Sequence, residues 1–404
     1  MVLSRNKVNA VLLYMAVFLF LIRMLLYSVS GSWVFSYENF YSYQAGGRNL
    51  GTTPASVGIL FILLLYNARF LLRRKDIFWV LLCILPFAFW SILEYGNGEG
   101  INVWFGSVPT TPCILPLFFL LGREESLSKH FKKAALILTA GYLLLSLYSA
   151  LDFYLSVGWG NRILYMPGKT SLSMGMLALW VYLFSDLDKK ESNEEVGLKI
   201  GLILLALLCS ILIVSRSWII QSLLLFTAYL IISLDLKGKI MTIMWIVLIA
   251  LAAVFLLESY LSNIILPLIE KAEEDTRSGQ FYDFFGQISS WKLLVGSGMQ
   301  ATYVFSGIEY RYFDNQFIFE SFHYGCLHLL PLFWFLFRTL RIPVEKIKDI
   351  GRRKSYLGAK FVIITFLLAM GGLSVYYRYD YSIPTALFLM FVGKHSVLPD
   401  TKIN

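Results

Sequence analysis

Residues 202–232 read LILLALLCSILIVSRSWIIQSLLLFTAYLII, and this stretch decides the fold. Two apolar runs flank the short polar turn Ser215-Arg216-Ser217. About 20 apolar residues cross a bilayer as a helix, and a helix satisfies its own backbone hydrogen bonds in lipid. The stretch therefore predicts a membrane hairpin whose turn lies at one membrane face.

Similar apolar runs recur along all 404 residues, of which 57% are hydrophobic and only 15% are charged. A soluble globular chain carries about 25% charged residues. We predict a single all-α polytopic membrane domain over residues 1–404, including the apolar run near the N-terminus as a retained span. Twelve membrane-spanning helices are predicted, at about residues 8–30, 54–71, 76–95, 103–121, 134–156, 170–187, 199–214, 217–235, 240–262, 316–337, 360–377 and 382–396.

The segments between these spans separate by charge. Lysine and arginine concentrate in alternate connections, and such connections face the cytoplasm. Both termini are therefore predicted to be cytoplasmic, and the net charge of +9 indicates topology rather than nucleic-acid binding. On the opposite side the longest polar segment is 263–315, a predicted extracytoplasmic loop. The basic residues that define the cytoplasmic side are Arg5, Lys7, Arg69, Arg73, Arg74, Lys75, Arg123, Lys129, Lys132, Lys133, Lys189, Lys190, Lys199, Lys237, Lys239, those from Arg338 to Lys360, Lys394 and Lys402.

Metal and cofactor sites are not indicated. The four cysteines all fall inside apolar runs without paired spacing, which argues against a disulfide or a zinc site. Asp186-Leu-Asp188 has the spacing of a metal-binding pair, but it lies among lysines in a connection that reads as a solvated loop. Gly296-Ser-Gly298 lacks the lysine and hydroxyl residue of a phosphate loop, which excludes a nucleotide site of that type.

Three arginines lie on the predicted extracytoplasmic side. Arg216 is either a turn residue that reaches the membrane surface or a fixed guanidinium suited to a lipid phosphate. Arg162 lies between two spans, and Arg277 stands in the long loop, where its acidic neighbours offer a weak surface ion pair instead. If the three converge on one cavity, they would bind a pyrophosphate and stabilise it as a leaving group.

Asp314-Asn315 directly precedes a predicted span. This position suits a helix N-cap, and it equally suits a carboxylate that acts as a general base beside the cavity. Glu320 and His323 lie further into the same span, where a buried polar contact is favoured over catalysis.

The order of these features resembles the superfamily of O-antigen ligases and Wzy-type O-antigen or capsule polymerases. The resemblance covers residues 155–330. It consists of a hairpin turning at Ser-Arg, a long outer loop with an arginine, a tryptophan and a Gly-x-Gly, and a helix start at an Asn dipeptide followed by a glycine. The matching residues are Ser215-Arg216, Arg277, Trp291, Leu293 to Gly298, Asp314-Asn315 and Gly325.

The resemblance implies a GT-C-like fold and an inverting, metal-independent glycosyltransferase on the outer face of the bacterial cytoplasmic membrane. Donor and acceptor would be glycans carried on undecaprenyl pyrophosphate, with a chain-length regulator as a further candidate partner. It implies catalytic roles for Arg216, Arg277 and Asp314, and substrate-binding roles for the residues Arg162, Asn315, Gly296, Gly298 and Trp291. Ligases usually carry histidine where this chain has Asp314, and that difference favours a polymerase.

Three other functions remain open on the sequence. A ligase would transfer the lipid-linked glycan to the lipid A core. A twelve-span flippase or secondary transporter would be expected to contain broken helices or charges at mid-bilayer, and no duplicated halves are visible in the sequence. A membrane scaffold with an outer binding loop would be favoured if the three arginines lie far apart.

Overall fold

The structure is a computed structural model. It describes residues 4–29, 52–94, 110–157, 166–187, 191–235, 238, 240, 243, 244, 276–298, 300–310, 313, 315–373 and 382–397. Of the predicted site residues, Arg162 and Asp314 lie outside this part of the chain, and so does the side chain of Arg277. Most of the predicted span 240–262 also lies outside it.

The described part of the first half of the chain is helical, with mostly long helices and two helices of four residues. In chain order these are α1 (Arg5–Val29), α2 (Thr52–Leu71), α3 (Ile77–Glu94), α4 (Thr111–Ile114), α5 (Phe118–Leu121), α6 (Glu125–Val157), α7 (Met166–Phe184), α8 (Asn193–Leu212) and α9 (Arg216–Ser233). Short 3-10 turns at Arg74–Asp76 and Leu115–Leu117 lead into α3 and α5.

The second half is more interrupted. It contains α10 (Thr276–Gln287), α11 (Ser290–Val295), β1 (Tyr303–Phe305), β2 (Ile308–Tyr310), α12 (Gln316–Tyr324), α13 (Leu330–Leu340), α14 (Ile350–Leu368) and α15 (Ser382–Lys394). A 3-10 segment (Cys326–Leu329) joins α12 to α13, another spans Val344–Lys346, and a π-helical turn (Ala369–Leu373) extends α14. The strands pair antiparallel as a small hairpin, with Tyr303 opposite Tyr310.

Six of the described helical segments are long and apolar enough to cross a membrane, and four more are apolar but shorter. The mostly helical chain is therefore an all-α-type membrane protein, with one small hairpin added. Large apolar side chains cover the outside of the bundle, as expected where helices face lipid. Highly exposed examples on the long helices are Phe18, Leu65, Phe78, Leu85, Ile92, Leu155 and Ile231.

Several predicted spans require correction. The predicted span 134–156 begins too late, because α6 already starts at Glu125. The predicted span 316–337 is not one helix, because Gly325 adopts φ +82° and separates α12 from the 3-10 segment and α13. The predicted span 360–377 begins too late, because α14 starts at Ile350, where Asp349 caps it by accepting a hydrogen bond from the Arg352 backbone. A prediction from hydropathy places the start of α14 too late, because the first turns of this helix carry a run of basic residues.

Buried ion pairs tie the helices together at one end of the bundle. Asp76 is fully buried and accepts hydrogen bonds from Arg123, at 2.5 Å, and from Arg338, at 3.1 Å. The pairs Arg5–Glu124 and Lys199–Glu191 belong to the same end. These contacts bring lysine- and arginine-rich connections from different parts of the chain together at one level of the bundle.

Two further contacts at this end involve α15. The Lys394 ammonium pairs with Asp186 at 3.0 Å, so this carboxylate of the Asp-Leu-Asp sequence is used in an ion pair. His395, directly after α15, is also buried. Its imidazole lies 2.8 Å from the Ser355 hydroxyl and 2.8 Å from the Phe391 carbonyl oxygen.

Replacing Asp76 with asparagine leaves Arg123 and Arg338 without their shared carboxylate. Loss of one partner from a buried ion pair costs about 3–5 kcal/mol, so we expect a clear drop in the thermal midpoint of the detergent-solubilised protein. Asp186→Asn is the matched control, because the Lys394–Asp186 pair is partly exposed and such pairs contribute at most about 1 kcal/mol. Equal shifts in the two variants would contradict the assignment of Asp76 as the main anchor.

Candidate functional site at the cap end

At the end of the bundle opposite the ion pairs, residues 276–310 fold into a small cap. The cap contains α10, α11 and the β1–β2 hairpin. Its core is aromatic, with Phe284 fully buried between Tyr303 and Phe313. The ring of Phe322 on α12 packs against Phe284 at 5.2 Å between ring centres, so the cap sits directly on α12.

The Gly-x-Gly sequence holds the cap on α12. Residues 296–298 run along the last turn of α12, and this pairing is called the glycine clamp below. The backbone N–H of Ser297 donates to the Phe322 carbonyl at 2.8 Å, and that of Gly298 donates to the His323 carbonyl at 3.0 Å. His323 returns the contact through its Nδ1, 2.8 Å from the Gly298 carbonyl oxygen, which confirms the predicted buried polar contact of His323.

The clamp needs glycine at two facing positions. Gly296 (φ +96°) and Gly325 (φ +82°) both adopt left-handed backbone conformations. A Cβ atom on Gly296 would lie 2.6 Å from Trp90 and 2.7 Å from the Gly325 nitrogen. A Cβ atom on Gly325 would lie 2.6 Å from the Leu294 carbonyl oxygen. Of the two glycines predicted to bind substrate, Gly296 thus has a demonstrable packing role.

The start of α12 is fixed by Asn315. Its side-chain oxygen accepts hydrogen bonds from the backbone of Phe317 at 3.0 Å and Ile318 at 3.2 Å, so Asn315 is the N-cap. This confirms the predicted helix start and assigns the cap to Asn315. The amide nitrogen donates to the Gly371 carbonyl at 3.0 Å, within the π-helical turn of α14. Such turns are frequent at functional sites.

Arg216 is the first residue of α9, and its side chain is exposed. The turn before it is tight: Val214 adopts φ +54°, and the Ser215 backbone N–H donates to the Ser210 carbonyl at 3.0 Å. The predicted hairpin turn is therefore present. A guanidinium at a helix N-terminus combines its own charge with the positive end of the helix dipole, which together favour an anion.

Helix α14 relates Arg216 to Asn315. Helices α9 and α14 pack against each other, and the Lys354 ammonium donates to the Ser233 carbonyl at 2.8 Å, which fixes their antiparallel register. Ser233 lies 17 residues after Arg216, and Gly371 lies 17 residues after Lys354. At a rise of about 1.5 Å per residue, both stretches cover about 26 Å. Arg216 and the Gly371–Asn315 contact are consequently at about the same level.

The other predicted site residues are only partly placed. The backbone of Arg277 lies in the first turn of α10, within the cap. Trp291 lies on α11 with 68% of its surface exposed. The structure thus unites Trp291, Gly296, Gly298 and Asn315 in one end of the bundle and places Arg216 at that level.

A buried polar group further along α12 was underestimated from sequence. Glu320 and His328 are both fully buried, and the Glu320 Oε2 lies 3.3 Å from the His328 Nε2. Gln316, one turn before Glu320, is also fully buried. The sequence signal covered only Gln316 and Glu320, which are four residues apart and share one helix face, because His328 lies beyond the break at Gly325. Among the described residues, no group of three or more potential ligands could hold a metal ion.

Comparisons of the chain with protein-family models, with curated proteins and with solved structures gave no match. Any functional assignment therefore depends on the residues of this chain.

Substituting Gly325 with alanine should release the cap. The left-handed backbone costs an alanine about 1–2 kcal/mol, and forcing a Cβ into the clamp adds about 1–3 kcal/mol. We expect faster protease cleavage within residues 276–310 and a lower thermal midpoint. Gly286→Ala serves as the control, because a Cβ there has no heavy atom within 4 Å. Equal protease sensitivity in the Gly325→Ala variant and the unmodified protein would refute the clamp.

Proposed function

We propose that this protein is a membrane glycosyltransferase that polymerises oligosaccharide repeat units carried on undecaprenyl pyrophosphate, at the outer face of the bacterial cytoplasmic membrane. In this proposal the chain crosses the membrane twelve times with a GT-C-like arrangement, both termini are cytoplasmic, and the cap faces outward. The observation that carries the proposal is that Arg216 lies at about the same level as the contact between Asn315 and Gly371, with α9 and α12 both packed on α14 or its π-helical turn.

The proposed chemistry needs a stabilised leaving group more than an acid. An acceptor hydroxyl attacks the anomeric carbon, and the pyrophosphate leaves with the bonding electrons. Fixed positive charge placed where this negative charge develops lowers the barrier. Arg216 fits that role through its exposed guanidinium at a helix start, and Arg277 is proposed to assist from the cap, with Arg162 as a third cation.

The acceptor hydroxyl must also lose its proton. Asp314 is proposed as the general base, since it directly precedes the residue that caps α12. A helix N-terminus favours the ionised carboxylate, so Asp314 would be a weak base and alignment of the reactants would contribute most of the rate. Trp291 presents an exposed aromatic face on the cap where a sugar ring could stack.

The transfer proposal is tested by Arg216→Ala and Arg277→Ala. Removal of one stabilising donor typically lowers turnover by about 10²–10³-fold, so long glycan chains should disappear while the protein still accumulates in the membrane. Arg216→Lys should restore part of the activity, because lysine keeps the charge but loses the planar fork. Arg353→Ala is the matched control, an exposed arginine at the other end of the bundle. Normal glycan length in the Arg216→Ala variant would refute the proposal.

A ligase is the alternative within the same chemistry. A strain that lacks the protein would then still make long lipid-linked polymer but would fail to attach it to the lipid A core. A polymerase deletion would instead leave single repeat units.

A proton-coupled flippase or transporter is the second candidate, and the broken helix α12–α13 favours it. Transporters place interrupted helices and ionisable groups inside the membrane, as found for Glu320 and His328. Transport of lipid-linked glycan across vesicles without any chain elongation would favour this function over transfer.

The proposed orientation predicts opposite labelling of two introduced cysteines. Tyr282→Cys, in the cap, should react with a membrane-impermeant maleimide in intact spheroplasts, since this side chain is 84% exposed. Arg353→Cys should react only after the membrane is opened. The native cysteines provide a low background, because Cys83, Cys113 and Cys209 are buried and Cys326 is partly so. Labelling of Arg353→Cys but not of Tyr282→Cys in intact spheroplasts would show that the orientation is the opposite of the one proposed.

A further inference from the structure

The break between α12 and α13 creates an enclosed polar site inside the membrane domain. Gly325 ends α12, and the 3-10 segment that follows turns His328 back toward Glu320. Both side chains are fully buried. Ionisable residues within membrane helices are expensive to bury and usually have a function.

The hydrogen-bond geometry fixes which nitrogen of His328 faces Glu320. The His328 Nδ1 lies 2.5 Å from the Gly325 carbonyl oxygen. A carbonyl oxygen only accepts, so Nδ1 carries a hydrogen and Nε2 is the atom that faces the Glu320 carboxyl group. One further proton on the pair makes it neutral overall, whether that proton sits on Glu320 or on His328.

The neutral acid is the favoured arrangement. Separating the charges onto a carboxylate and an imidazolium requires burying two ions, which costs more than burying a neutral acid beside a neutral imidazole. The other ionisable residues on the elements packed around the pair are Cys83 and Glu94 on α3, Cys113 on α4, Lys292 on α11, His323 and Tyr324 on α12, Cys326 in the 3-10 segment and Arg338 on α13. The Lys292 side chain is exposed, and the Arg338 guanidinium pairs with Asp76 at the other end of α13.

Gln316 gives this pair a route to the outer end of the domain. It lies one turn before Glu320 on the same helix face and directly after the cap residue Asn315. Its amide oxygen and nitrogen are both buried, with no hydrogen-bond partner among the described residues. Buried polar groups of this kind are normally satisfied by water, and water between Gln316 and Glu320 would carry a proton.

We propose that Glu320 and His328 form a proton-binding site, in which Glu320 holds one exchangeable proton that enters and leaves past Gln316. Release converts the carboxylic acid to a carboxylate and delivers the proton through water to the outer end, leaving one negative charge inside the broken helix. The site and the Asn315 cap share α12, so proton binding and the outer site are mechanically connected. This inference does not depend on the glycosyl-transfer reaction.

Infrared spectroscopy of the purified full chain in lipid bilayers tests the proposal. At neutral pH we expect the carbonyl stretch of a protonated carboxylic acid, which shifts in deuterated water and converts to a carboxylate band as the pH is raised. The acid band should be absent from Glu320→Gln, a neutral replacement that keeps the shape of the side chain. It should persist in Glu309→Gln, which removes an exposed carboxyl group of the cap.

His328→Asn provides a second measurement in case Glu320→Gln does not fold. Loss of the imidazole should change the frequency of the acid band without removing it. Three outcomes would overturn the proposal: no acid band at neutral pH, a band that persists in Glu320→Gln, or a band that never converts while the protein stays folded. A variant that loses glycan polymerisation but keeps normal spectra would affect the proposed glycosyl transfer and leave the proton-binding site supported.

Discussion

The hydrogen bonds between residues 296–298 and the last turn of α12 are the contacts on which the cap end of the bundle depends. A helix that ends inside a membrane leaves carbonyl groups without partners, and lipid cannot supply them. The clamp satisfies the carbonyls of Phe322 and His323, and the Trp90 indole N–H donates to the Tyr324 carbonyl at 3.1 Å. With these groups satisfied, the chain tolerates a break at Gly325, and that break brings His328 beside Glu320.

The two ends of the bundle are stabilised by different physics. At one end, buried carboxylates such as Asp76 bind arginines from distant parts of the chain. At the other, backbone hydrogen bonds and aromatic packing hold the cap, and Arg216 stays exposed at a helix start. A fixed ion-pair network suits a rigid base, whereas an exposed arginine at a helix N-terminus suits recognition of an anion. This asymmetry locates the candidate site at the cap end.

Helix α12 links the two proposals for this protein. Asn315 joins the cap-side end of this helix to α14, at about the level of Arg216, and Glu320 lies five residues further along. Glycosyl transfer would use the outer end, where a leaving pyrophosphate needs positive charge. A proton-coupled process would use the buried pair. The two activities therefore depend on different residues of one short helix. Substitutions near Asn315 and substitutions at Glu320 separate the two activities experimentally.

Apolar runs near 20 residues determined that this chain is a helical membrane protein, because length and hydropathy suffice to predict a membrane helix. Local chemistry also predicted the Ser215–Ser217 turn and the helix start capped by Asn315. The break at Gly325 was not predictable, because its left-handed backbone becomes favourable only when residues 296–298 pack on it from elsewhere in the chain. The Glu320–His328 contact likewise required the break. Tertiary structure alone decided these features, since each depends on groups distant in sequence meeting inside an apolar environment.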